Sequence, residues 1–153
     1  MRLQQFLALM RRDECGAMMI ETAIVAPVLI LMSMGAFQIS QVIARQSELQ
    51  GAMAEASAIA VSAPPDTADE RTVLKNIIVA STSLDAADVV VSERYRCGVA
   101  TSYVNAADDC VGSEVATYVL IELNDTYTPV WTQWGFGEPL DFNVNRYVMV
   151  KQS

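Results

Sequence analysis

Residues 11–40 read RRDECGAMMIETAIVAPVLILMSMGAFQIS. The order is a basic stretch, then Gly16, then an apolar run with one acid, Glu21, near its start. A carboxylate at the bilayer centre costs about 2.5–3.5 kcal/mol on insertion scales. A chain that needed only an anchor would have no use for it. As a helix, residues 17–39 span about 34 Å, enough to cross a bilayer. Glu21 is the fifth residue after Gly16. A cut after Gly16 would therefore create a new α-amino group on Ala17, one helical turn from the acid. This spacing points to a subunit that is processed in the membrane and then polymerises. The plainer reading of Glu21 is a helix-start acid that snorkels to the cytoplasmic interface. It accounts for one residue, but not for the ordered set of basic stretch, small residue, spacing and apolar run.

Upstream, residues 1–16 form a leader. Leu3, Phe6, Leu7 and Met10 share one helical face, which suits a segment lying along a membrane surface. The charged region is too long for an ordinary secretory signal, and the apolar run exceeds a typical signal core. Pro27 sits inside the run, where a membrane helix tolerates the lost backbone bond. Arg2, Arg11 and Arg12 precede the run and a mostly acidic remainder follows it. The expected topology is a single pass, with the N-terminus cytoplasmic and the C-terminal part exported.

Downstream, Val42, Leu49, Met53, Ala56 and Ala60 repeat at helical spacing, while Gln41, Arg45, Glu48 and Glu55 occupy other faces. Pro64-Pro65 ends the pattern. The expectation is one helix of about 45 residues: a transmembrane half over 17–43 and an amphipathic extension over 44–63, whose stripe needs a partner. Thr67-Ala-Asp-Glu70 is a capping-box pattern opening a second helix over about 67–80, with Val73, Leu74, Ile77 and Ile78 at helical spacing. The period then changes to two. Val89, Val91 and Tyr95 suggest one strand, residues 115–123 (VATYVLIEL) a deeper one, and residues 142–150 (FNVNRYVMV) a third. Residues 127–131, with Pro129 inside, could be at best an edge strand. Gly135, Gly137 and Pro139 mark the turn before the last strand. The fold class is α+β: a long N-terminal helix, a short second helix and a small antiparallel sheet packed on the helix, with residues 64–153 as the exported domain.

The 153 residues suffice for an anchor plus one modest domain. Hydrophobic residues make up 52% of the chain, a share raised by its N-terminal third. The net charge of -8 argues against a nucleic-acid partner, since phosphate binding needs a basic face. Of three cysteines, Cys15 lies on the leader side of Gly16, which leaves Cys97 and Cys110 in the exported part. An even pair in an oxidising compartment reads as a disulfide, closing a loop of about 14 residues. Two free thiols are the alternative.

Catalytic chemistry finds no footing. There is no histidine, the commonest general base and metal ligand. No Ser, Cys or Thr has an activating partner by spacing, and the seven glycines form no phosphate loop. Asp108-Asp109 falls far short of a calcium loop and reads as a solvated turn. The Asn124-Asp-Thr126 sequon is a frequent chance match. Trp131 and Trp134 could form a platform for a sugar or a partner, but packing is the default for such residues. The chain is therefore read as no enzyme, with no catalytic residue, cofactor, metal or small-molecule substrate.

The run RRDECGAMMIETAIVAPVLILMSMGAF resembles the start of the TadE-like proteins, minor pilins or pseudopilins of the tight-adherence (Tad, Flp, type IVc) pilus system. The matching features are the basic stretch, the small residue at the cut, Glu21 at the fifth mature position, the Ala23-Ile24-Val25-Ala26-Pro27 run and the later Gly35. A Tyr-x-Pro element at Tyr127 and Pro129 before a closing strand is similar in style. Thr22 stands where an aromatic residue is common, Gln38 where an acid is common, and Cys15 is unusual at its place. The resemblance implies cleavage between Gly16 and Ala17 by an inner-membrane prepilin peptidase, and assembly with major and minor pilins through the apolar helix, with Glu21 neutralising the Ala17 ammonium of a neighbour. It implies a role in pilus biogenesis, surface adhesion and biofilm formation. Two other readings are kept beside it. One is a bitopic, membrane-anchored periplasmic binding module. The other is a type II secretion pseudopilin, a family that usually has Phe at the first mature position, where Ala17 stands here.

Overall fold

The computed structural model describes residues 14–152. Most of the expected leader, residues 1–13, lies outside the described residues. The chain divides after Gln41 into two compact units, 1–41 and 42–153.

A single helix, α1, runs over Glu14–Ser62 (49 residues), with Pro27 inside it. Gly16 and Ala17 lie in its first turn. In the first unit most large apolar side chains from Met18 to Ile39 stand exposed: Ile20, Ile24, Leu29, Ile30 and Phe37 each show more than half of their surface. The helix is long and apolar enough to cross a membrane, and the relevant window is 0% buried. In water such a surface would be costly, and in lipid it is matched to its solvent.

The second unit holds the end of α1, a second helix and a sheet. α1 stops at Ser62, and its last turn is closed by the Ala63 amide donating to the Ile59 carbonyl at 2.8 Å. Pro64 and Pro65 follow; the first biases Ala63 away from helical geometry and neither has an N–H to continue the ladder. α2 spans Ala68–Thr82 with Thr67 as its N-cap. The capping box is complete: the Glu70 amide donates to Thr67 Oγ1 (3.3 Å) and the Thr67 amide donates to Glu70 Oε2 (2.9 Å). The helix leaves through Ser83 in the left-handed region (φ 56°).

Three antiparallel strands follow in sheet order β1-β2-β3. They are β1 (Val89–Cys97), β2 (Val115–Tyr127) and β3 (Leu140–Gln152). The register sets Val89 opposite Leu123, Val91 opposite Ile121 and Val119 opposite Val148. The α+β architecture read from the sequence is the one observed. The core joins Leu49, Met53, Ala56 and Ala60 of α1, Leu74 and Ile78 of α2, and Val89, Val119, Ile121, Leu123 and Val148 of the sheet. The four α1 residues step by four, three and four, so one stripe reaches the strands.

β2 is buried on both faces. Its odd residues from Val119 to Leu123 meet the helices, while Ala116, Tyr118 and Leu120 are buried on the opposite side. The β1–β2 connection crosses that far face. Val104 and Tyr95 exchange backbone hydrogen bonds, and the Tyr103 ring stacks on Tyr147 at 3.9 Å and meets Tyr118 edge-on at 5.0 Å. The Arg96 guanidinium lies 5.1 Å from the centre of the Tyr118 ring.

One expected element is replaced. Residues 127–131 do not form a separate edge strand: β2 itself continues to Tyr127, and Val130–Trp134 is a 3-10 helix with Pro129 before it. Pro129, at φ -63°, lacks a ladder donor, so strand pairing stops where it stands. The chain then turns through Gly135 and Gly137, both at positive φ. A side chain at Gly137 would also press on the Trp131 indole, 3.3 Å from its Nε1.

Candidate functional site

The sequence places Gly16, Ala17, Glu21 and Pro27 on one stretch, and the structure puts all four on α1. Ala17 and Glu21 are four residues apart, one turn along the same side of the helix. Glu21 borders a shallow apolar depression lined by Met18, Thr22, Val25, Ala26 and Leu29. The Thr22 hydroxyl donates to the Met18 carbonyl at 2.8 Å, so this polar group is satisfied within the helix, as a lipid environment requires. Among the described residues Glu21 has no salt-bridge or hydrogen-bond partner. A carboxylate on a bare apolar helix can do one thing well: receive a cation or donor from another molecule.

In the second unit the structure joins Cys97 to Cys110, whose Cα atoms are 5.0 Å apart, by a disulfide. Asp108 and Asp109 sit in a 3-10 turn just before Cys110, both exposed. Among the described residues no group of three His, Cys, Asp or Glu side chains is arranged to hold a metal ion. Asn124 lies on β2 with its amide oxygen accepting from Asn143 across the sheet. Trp131 is half-buried, whereas Trp134 and Phe136 are exposed on the loop before β3.

Sequence periodicity put Arg45 off the apolar stripe of α1, and the structure gives it partners on two other elements. Its Nε donates to the Asp125 carboxylate of β2, its Nη1 donates to the Thr82 carbonyl at the end of α2 (3.2 Å), and Nη1 also pairs with Glu48 (2.9 Å). The Asp125 hydrogen bond, more than any other contact, holds the guanidinium pKa above its ordinary value. Thr82 Oγ1 bonds back to Ile78, and a cation at this helix end meets the negative end of the dipole. The only sequence sign of such a role was a lone arginine just after the apolar run in an otherwise acidic stretch.

A long apolar N-terminal helix, with a short second helix and a three-stranded sheet in the following unit, fits a pilin-like, membrane-anchored protein. A family model described as TadE-like protein matches residues 16–58. Over that segment the chain is similar to TadE-like proteins, in agreement with the resemblance read from residues 11–37. No curated protein and no solved structure matches this chain.

Proposed function

We propose that this protein is a minor pilin or pseudopilin of a Tad-type pilus, held in the inner membrane by α1 until it is assembled, with its second unit on the periplasmic side. The observation that carries the reading is Glu21, unpartnered among the described residues on an exposed apolar helix that falls within the TadE-like match. Prepilin peptidase cuts between Gly16 and Ala17 on the cytoplasmic side and removes the basic leader. The new Ala17 ammonium of one subunit then meets Glu21 of its neighbour. Either charge alone in lipid is expensive, so the pair sets the axial register as helices pack. Pro27 loosens the helix one and a half turns further along.

Two measurements test this. Mass spectrometry of the membrane-derived protein should find Ala17 as the N-terminus. An intact 1–16 segment in cells with active peptidase would sink the proposal. Glu21→Ala should leave cleavage and insertion unchanged and reduce piliation. Normal piliation would remove the register mechanism. A second reading, an anchored binding module, draws on the exposure of Trp134 and Phe136. It expects no processing and full tolerance of Gly16→Leu.

A further inference from the structure

α2 buries one apolar face and leaves another open. Leu74 and Ile78 enter the core, but Val73 is 56% exposed and Ile77 42%. With Leu74, these two wall a groove whose other side is Ile59, Ala63, Pro64 and Pro65. Its volume is about 330 Å³, at the lower end of the roughly 300–1,000 Å³ common for apolar binding sites. The polar lining group is the Glu70 carboxylate. The capping box fixes its position, and the Thr67 amide that donates to it lowers its pKa and keeps it ionised. Asp66 and Asp69 are exposed close by in sequence, and no lining residue is basic.

We propose that this groove docks an amphipathic helix of a different protein, with apolar side chains seated against Val73 and Ile77 and a Lys or Arg facing Glu70. A helix suits the site because Pro64 and Pro65 offer no N–H for an added strand, whereas a helix satisfies its own backbone and presents anchors at helical spacing. Charge selects against a second copy. The chain carries -8 overall, and two such grooves face to face would set Glu70 against Glu70. Among the described residues the exposed cations Arg146 and Lys151 stand on β3, a strand that cannot present a helical face. Anionic lipid is repelled by the same acids. The groove lies wholly in the second unit, and the exclusion of a second copy rests on the proposed removal of the leader with Arg2, Arg11 and Arg12.

The test is a photo-crosslinking amino acid placed at Val73, and separately at Ile77, in the full chain in its native cells. The adduct is then mapped by peptide mass spectrometry. The expected adduct is a helical stretch of another protein with Lys or Arg within one turn of the linked residue. Glu70→Gln preserves the capping box and removes only the charge, so the yield should fall about two- to fivefold. Val73→Asp should reduce the Ile77 adduct to background. Replacing the partner's cation by Glu should reproduce the loss. Adducts solely with a second copy or with lipid, no adduct above an unirradiated control, or a yield unchanged by both Glu70→Gln and Val73→Asp would each overturn the proposal.

Discussion

Arg45 ties together three elements through one side chain. It reaches Asp125 on β2, the Thr82 carbonyl at the end of α2, and Glu48 on its own helix. The Arg45 and Asp125 side chains are about four-fifths buried, so the pair is partly shielded from solvent. Arg45→Met keeps the bulk of the stem and strands a shielded carboxylate. We expect a loss of about 1–3 kcal/mol in urea unfolding of the detergent-solubilised protein, with Arg45→Lys recovering part of it. Glu70 responds to acid. Its folded pKa lies below the ordinary 4.5 because Thr67 hydrogen-bonds to the carboxylate. The stabilisation is therefore present above the unfolded pKa and is lost as pH falls through the lower, folded one. Protection of the first-turn amides of α2, measured against the intrinsic exchange rate at each pH, should fall as pH drops through the folded pKa of Glu70, and Glu70→Gln should abolish that pH dependence. The Glu70 box was legible because cap and acid lie three residues apart. The role of Arg45 was not, since its partner Asp125 is 80 positions away and no local pattern links them.

Among the elements, α1 was the most readable. Leu49, Met53, Ala56 and Ala60 recur at helical spacing and all four are buried. Leu49→Ala should cost about 2–5 kcal/mol, measurable as a lower urea midpoint, because Leu49 is fully enclosed by the core. β2 was also readable, its apolar run reflecting burial on both faces. What covers its far face was not. Tyr103 comes from an irregular connection with no period to detect, and its partners Tyr118 and Tyr147 come from two different strands. The bridge between Cys97 and Cys110 closes that connection. Removing it through the Cys97→Ser, Cys110→Ser double variant should cost about 3 kcal/mol and weaken the near-ultraviolet circular dichroism of the tyrosine cluster. The misread stretch at 127–131 shows the opposite limit. The Tyr and Val there favour a strand, and Pro129 overrides them by denying the ladder a donor.

At the scale of the whole molecule, composition and patterning were enough to separate an exposed apolar helix from a folded α+β unit. They could not supply the groove beside Pro64-Pro65, which exists because the end of α1 and the outward side of α2 leave space between them. The order of the sheet has a separate consequence. It is a meander: β1 pairs with β2 and β2 with β3, with no crossover, and the second helix precedes all three. Each strand therefore finds its partner in the next strand to be made, and the sheet's own contacts close over short stretches of chain. The two cysteines flank a single hairpin connection, only 13 positions apart. Their pairing joins the ends of β1 and of the β1–β2 connection, so Cys97 and Cys110 of a chain stopped at Tyr127 should already resist thiol alkylation. The order of the strands would thus let the crosslink form before the last strand is made.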